Sequence, residues 1–196
     1  MTFQPVWVRD CSDDIDSSIV LDWEEENNML ALYTGCETDL QGYAYIRKLN
    51  AANGELLWEH SYPCLTDRDV SGGVLGTPIV GRGDISDLVI FWVGKLRGDL
   101  SGIALVAYDK ETGDVVWERI MPYFGWSSPV GVYTEEGRGY ILVCDAAGRV
   151  YLFRGSSGEL LDTINIGGNV EASPAVYGNM VVVGTRSNSI CGIRIS

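Results

Sequence analysis

Positive charge is scarce in this chain, where 14 Lys and Arg stand against 27 Asp and Glu for a formal net charge of −13. Binding DNA or RNA needs clustered cations to displace condensed counterions, and so does an anionic membrane surface; neither is an expected partner. Imidazole is scarcer still. With His60 the one histidine, a His-based metal centre or a Ser-His-Asp triad lacks material. The five cysteines, Cys11, Cys36, Cys64, Cys144 and Cys191, form no C-x-x-C pair and no zinc spacing. Their odd number leaves at least one thiol free, and Cys11 with Cys64, which follow equivalent strands, is one disulfide the layout allows. No apolar run approaches the ~18 residues of a membrane span. The opening Met1-Thr2-Phe3-Gln4-Pro5 has neither the basic nor the apolar region of a signal peptide. The chain is therefore read as cytoplasmic, or as one whose leader has been removed.

What the chain does hold is hydrophobic residues at 46%, ten Tyr, six Trp and 24 Gly among 196 residues. That composition suits short strands joined by tight turns in one domain. It also holds a phrase that recurs. Asn53-Gly54-Glu55-Leu56-Leu57-Trp58 returns as Thr112-Gly113-Asp114-Val115-Val116-Trp117, and again as Ser157-Gly158-Glu159-Leu160-Leu161-Asp162. Repetition at this spacing decides an architecture before any single segment does.

Each unit opens at a small residue, usually followed by proline: Ser17-Ser18, Thr77-Pro78, Ser128-Pro129 and Ser173-Pro174, at intervals of 60, 51 and 45 residues. A short apolar strand follows each opening (19–21, 79–80, 130–133, 175–177). A second, more strongly apolar strand comes next (29–33, 88–93, 140–144, 180–184), its unbroken Val, Ile and aromatic content that of a strand buried on both faces. Third strands are read at 44–49, 103–108, 150–153 and 190–195, and fourth strands at 56–60, 115–119 and 160–164. Asn50 and Asp109 begin the turns between third and fourth strands, and their side chains can hydrogen-bond the backbone two residues on. Gly54 and Gly113 close those turns, at positions that call for positive φ. The outer-strand tryptophans Trp58 and Trp117 are read as packing between neighbouring units.

This layout predicts an all-β, four-bladed β-propeller in a single domain spanning 1–196, with four-stranded antiparallel blades near 17–60, 77–119, 128–165 and 173–196. The last unit stops where its turn should come. Gln4-Pro5-Val6-Trp7-Val8-Arg9 matches Glu55-Leu56-Leu57-Trp58-Glu59-His60 in register, so residues 4–9 are expected to supply the missing fourth strand and close the ring beside 190–195, leaving no free sheet edge.

The phrase Asx-x-x-x-Gly-acidic-x-x-Trp, followed by a Ser/Thr-Pro strand, resembles the repeat of the PQQ-like, quinoprotein-type propellers over nearly the whole chain. A second likeness lies at Gly83-Asp84-Ile85-Ser86-Asp87-Leu88-Val89-Ile90, which is similar to the Asp-rich hairpin of FG-GAP propeller repeats. The first resemblance implies a scaffold and an extracytoplasmic, periplasmic or secreted, location; the second implies calcium in some members. Departures matter as well. Quinone-using members have eight blades, a vicinal cysteine pair and a Glu-Asn-Asp set, none of which can be placed here, so PQQ is not an expected cofactor.

Candidate sites follow from this frame. Asp16, Trp126 and Glu171 precede inner strands and are expected to ring one mouth of the central channel, where an aromatic ring and carboxylates can hold a sugar or small cation. Asp13 and Asp14 in the acidic run 10–16, and Asp84 and Asp87 in the hairpin, are read either as solvated loop residues or as oxygen ligands for calcium. No nucleophile–base pair or phosphate loop stands out. The chain therefore reads as a non-catalytic scaffold binding a protein or a small-molecule or glycan ligand, and as a monomer rather than a dimer. Two alternatives are a PQQ- and calcium-dependent oxidoreductase module, and half of an eight-bladed assembly completed by dimerisation or by a larger chain.

Overall fold

Turn chemistry sets the outline. Asn50 Oδ1 accepts the Ala52 N–H at 2.9 Å, and Asp109 Oδ1 accepts those of Glu111 and Thr112 at 2.9 and 2.8 Å. The turn-closing Gly54, Gly113 and Gly158 take φ of +72°, +78° and +64°, where any β-carbon is strained. In the third copy Arg154 replaces the Asx residue, and its Nε reaches Glu159 at 2.9 Å across the turn instead. In each case one residue bulges just past the glycine, shifting the register before Trp58, Trp117 and Asp162.

The computed structural model describes residues 1–38, 42–64, 71–94 and 102–196. Its strands are β1 (Val20–Glu24), β2 (Met29–Gly35), β3 (Glu37–Thr38), β4 (Tyr43–Asn50), β5 (Leu56–Pro63), β6 (Gly72–Gly73), β7 (Ile79–Val80), β8 (Leu88–Val93), β9 (Ile103–Asp109), β10 (Val115–Met121), β11 (Val130–Tyr133), β12 (Gly139–Cys144), β13 (Arg149–Arg154), β14 (Leu160–Asn165), β15 (Ala175–Tyr177), β16 (Met180–Thr185) and β17 (Ser189–Arg194). They form three four-stranded sheets, β1-β2-β4-β5, β7-β8-β9-β10 and β11-β12-β13-β14, then a three-stranded sheet β15-β16-β17. Every strand pairing is antiparallel, and apart from β2-β4 and the ribbon β3-β6, which no repeat signal announced, each joins sequence neighbours.

The core lies between the sheets. Tyr33, Trp58, Phe91 and Tyr108 fill the first junction, Trp92, Leu105, Trp117 and Phe153 the second, and Leu142, Val150, Val181 and Val183 the third. Successive strand residues point to opposite faces, so Phe91 packs towards the first sheet and Trp92 towards the third. This is why β8, with all six residues buried, reads as one unbroken apolar run. At the inner ends, the Thr77 N–H donates to Ser128 Oγ at 3.0 Å and the Ser128 N–H to Ser173 Oγ at 3.3 Å. The second, third and fourth unit openings are thus linked in series at their inner ends.

The expected closure is corrected by the structure. Residues 4–9 form no strand, and the last sheet has three strands with β17 at its edge. Trp7 and Arg9 anchor the segment on the turn of the first sheet as the outer strands β5 and β10 are anchored on theirs, but its backbone pairs with no strand among the described residues. The five cysteines are free, with Cys64 buried and Cys11 half-buried.

Candidate functional site

A repeated lock joins each outer strand to the next sheet. Trp58 Nε1 donates to the Lys110 carbonyl at 3.1 Å, and Trp117 Nε1 to the Gly155 carbonyl at 2.8 Å. Each acceptor lies three residues before the turn glycine of the following sheet. Two residues beyond each tryptophan, a second donor reaches that glycine itself: His60 Nε2 to the Gly113 carbonyl, and Arg119 Nε to the Gly158 carbonyl at 2.7 Å. The indole lies flat on the turn. A β-carbon at Gly113 or Gly158 would stand 2.8 or 2.5 Å from an indole carbon, so only glycine fits. Trp7 and Arg9 repeat the lock on the first sheet, to the carbonyls of Ala51 at 3.0 Å and Gly54 at 3.2 Å.

The third junction lacks it. Asp162 pairs with Leu152 at the register position where Trp58 pairs with Lys48 and Trp117 with Ala107. An aspartate cannot fill an indole's volume. What remains is a groove of about 840 Å³ between the third sheet and the last. Val132, Leu142, Leu161, Ile164, Ile193 and Ile195 supply its apolar walls, and Glu135, Asp162 and Arg194 its charge. Beside it runs β17, paired on one side by β16 and open on the other. All six residues of β14 are exposed.

The residues singled out from the sequence lie on several loops, of which those of Trp126 and Glu171 are joined where Ser127 Oγ donates to the Ala172 carbonyl at 3.1 Å. Asp16 is exposed ahead of β1, and Trp126 is half-buried with its ring edge-on to Phe124 at 5.2 Å. Glu171 is engaged by the Arg186 guanidinium at 2.9 Å and by Asn169 at 3.0 Å. Asp13 Oδ1 accepts the Asp14 N–H, and the Asp14 carbonyl accepts that of Glu37. Asp84 sits in the 3₁₀ turn Gly83–Ile85, where its Oδ1 accepts the Gly139 N–H at 2.7 Å and ties the second sheet to the third. The Asp87 carbonyl accepts the Lys110 N–H, and its side chain is exposed. Among the described residues, no three His, Cys, Asp or Glu side chains group to hold a metal ion. Burial pushes the Cys144 thiol up to about 12, with the Asp145 charge adding to the shift, so it stays a thiol at neutral pH.

Sequence reasoning missed two features. The groove was signalled by the third copy of the phrase, which ends in Asp162 where the others end in tryptophan. A charged cluster inside the first junction had no sequence signal. There Lys48, fully buried, pairs with Glu24 at 2.7 Å and donates to the Lys110 carbonyl at 2.7 Å, while Lys110 pairs with Asp22 at 2.6 Å.

Antiparallel sheets stacked face to face, with their inner ends meeting and with neighbours among solved propellers, define an all-β propeller scaffold. Residues 100–196 match the family model described as outer membrane protein assembly factor BamB, so the PQQ-like reading of the repeat holds over that stretch. No curated protein matches the chain. Among solved structures it is similar to the computationally designed Ika4 protein (TM-score 0.64, 14% identity), with all of both chains covered. It is also similar to the designed Ika8 protein (0.58, 13%), with 92% of this chain and 46% of that one covered. The C-terminal WD40 domain of Sif2 (0.52, 14%) is matched over 90% of this chain and 45% of that one. The chain thus spans the full length of one neighbour and under half the length of the other two. Among the described residues, no helix is long and apolar enough to cross a membrane.

Proposed function

We propose that this propeller is a non-catalytic binding scaffold that takes an extended polypeptide segment into the groove between its third and last sheets. One observation carries the reading: at the junction where Asp162 stands in the tryptophan's register position, an apolar groove lies against an open strand edge. A strand edge offers backbone hydrogen bonds to an added segment, and the apolar walls select its side chains. Glu135 and Asp162, together with the net charge of −13, favour a segment carrying Lys or Arg beside its apolar anchors. The matched family's description, an assembly factor for outer membrane proteins, is of a factor that works on proteins. An extracytoplasmic location goes with that reading.

Synthetic ten-residue peptides, each with a central aromatic residue, β-branched neighbours and a flanking lysine, test it by fluorescence anisotropy. Binding is expected at micromolar concentration and is expected to disappear in Asp162→Trp, which fills the groove. Equal binding by the wild type and Asp162→Trp would show that the groove is not the site.

A further inference from the structure

Each sheet in the interior of the stack buries one face on the sheet before it and the other on the sheet after it. The first and last sheets of this chain do not do so. Among the described residues, the apolar clusters lie at the first, second and third junctions, and none of them joins the last sheet to the first. On the last sheet the face turned away from the third sheet exposes Tyr177 at 92%, Ile190 at 81%, Val182 at 43% and Met180 at 37%, with Arg194 beside Met180. They share one face by register, since Tyr177 pairs with Met180 and Gly184 with Ile190. At the opposite end Ile19, Leu21 and Trp23, alternating along the innermost strand of the first sheet, are 52–55% exposed. Monomers rarely leave two such faces in water.

The strand count carries the same message. The last sheet lacks an outer strand, and β17 is its open edge. Residues 4–9 sit where the outer strand of a sheet preceding the first would sit, fixed there by the same Trp-and-Arg lock that β5 and β10 use on the sheets that follow them. The segment is placed as a strand but has no sheet, with Val6 and Val8 exposed. One end of the molecule carries a spare outer strand and the other a sheet that needs one.

We infer that a second copy of this chain supplies the match. The last sheet of one copy stacks on the first sheet of the other, and residues 4–9 of that other copy add to β17. Two copies related by a two-fold axis satisfy both ends at once, so the head-to-tail contact closes instead of growing into a fibre. The pairing removes both free edges. In the dimer the partner's residues 4–9 take the β17 edge, so a peptide in the groove keeps the apolar walls and gives up the backbone pairing that this edge offers.

Sedimentation velocity over a concentration series, combined with amide exchange at residues 190–194, tests it. A dimer is expected at micromolar concentration, with these amides protected in the dimer and exposed on dilution. Leu21→Glu with Trp23→Glu, at exposed positions that leave the interior untouched, is expected to weaken association at least about tenfold, roughly 1.4 kcal/mol. Asp162→Trp is expected to leave association unchanged, which separates this test from that of the groove. A monomer at every concentration overturns the inference; if its 190–194 amides are protected, residues 4–9 close the sheet of their own chain instead. A dimer indifferent to Leu21→Glu/Trp23→Glu overturns it equally.

Discussion

The second and third junctions share the same inner strands in the same order, yet one is sealed and the other open. At the second, Trp117 lies across the Gly158 turn, donates to Gly155, and is 6% exposed. At the third, the homologous register position holds Asp162, and the space beside it is a groove. Two differences separate them, that side chain and the outer strand and turn that the last sheet lacks. A propeller junction is therefore not sealed by sheet stacking alone: the inner halves of both junctions are packed by β-branched and aromatic residues, while the outer half depends on an indole anchored to a turn. A scaffold that must both hold its shape and offer a binding surface can do so by omitting that anchor at one place.

The sharpest way to break the comparison is to make the sealed junction resemble the open one. Trp117→Ala removes a buried indole and leaves the Gly155 carbonyl without its donor, at a cost of about 3–5 kcal/mol. Urea denaturation measures it, and the loss should appear as a lower midpoint with an unchanged slope. A cost below about 1 kcal/mol would mean that the outer half of the junction contributes little and that the Trp-to-Asp difference is incidental.

The first junction differs from the second in holding charge, and Glu24→Gln tests what that charge does. Burial alone would raise the Glu24 carboxyl. Hydrogen bonds from Lys48, Asn27 and Tyr33, with the Lys48 charge, outweigh it and hold the group below its ordinary value. In the fold Glu24 therefore stays ionised at a pH where the unfolded chain has already taken up its proton. Its contribution is present above the ordinary carboxylate range and is lost as pH falls through the lowered value. Glu24→Gln should cost about 2–3 kcal/mol at neutral pH, since the buried Lys48 ammonium loses its counter-charge. Denaturant midpoints of variant and wild type should converge as pH is lowered below ~4. A constant difference down to low pH would mean that the pair acts through packing.

The third lock, made by Trp7, separates a sealed junction from a docked segment. Its hydrogen bond is as short as the others, but the indole is half-buried and its backbone joins no sheet. Trp7→Ala is expected to cost only about 1 kcal/mol in the isolated chain. A loss equal to that of Trp117→Ala would show that residues 4–9 belong to a packed sheet.

These contrasts also mark how far the sequence could be read. Strand positions and the three glycine turns were legible because both rest on local chemistry, namely unbroken apolar runs and an Asx-to-Gly turn with positive φ at its end. The all-β propeller class followed from their repetition. The fate of residues 4–9 was not legible: register identity with 55–60 says that the segment can be an outer strand, but not whose sheet it joins. Asp84 is a similar case, since its role as acceptor for the Gly139 N–H exists only because the second and third sheets meet there. Glu171 reads as a channel-mouth carboxylate, and its ion pair with Arg186, fifteen residues away, had no sequence signal. The groove was half legible, visible as a missing tryptophan but not as a cavity.

The smallest expected effect is also the one that bears most directly on function. Asp162→Trp restores the indole at the open junction. Leu161, Ile164 and Ile193 supply apolar surface for it, but the last sheet has no outer turn to accept its Nε1–H. The gain in stability should therefore fall short of what Trp117 provides, at about 1 kcal/mol, or a rise in Tm of roughly 2–4 °C by calorimetry. A loss of stability would mean that the groove is shaped for something other than an indole and holds its form without one. A gain as large as the cost of Trp117→Ala would mean that the junction lost its anchor without reshaping around the loss. A small gain, combined with lost peptide binding, is the outcome of a junction left open for a partner, because only then do stability and recognition compete for the same space.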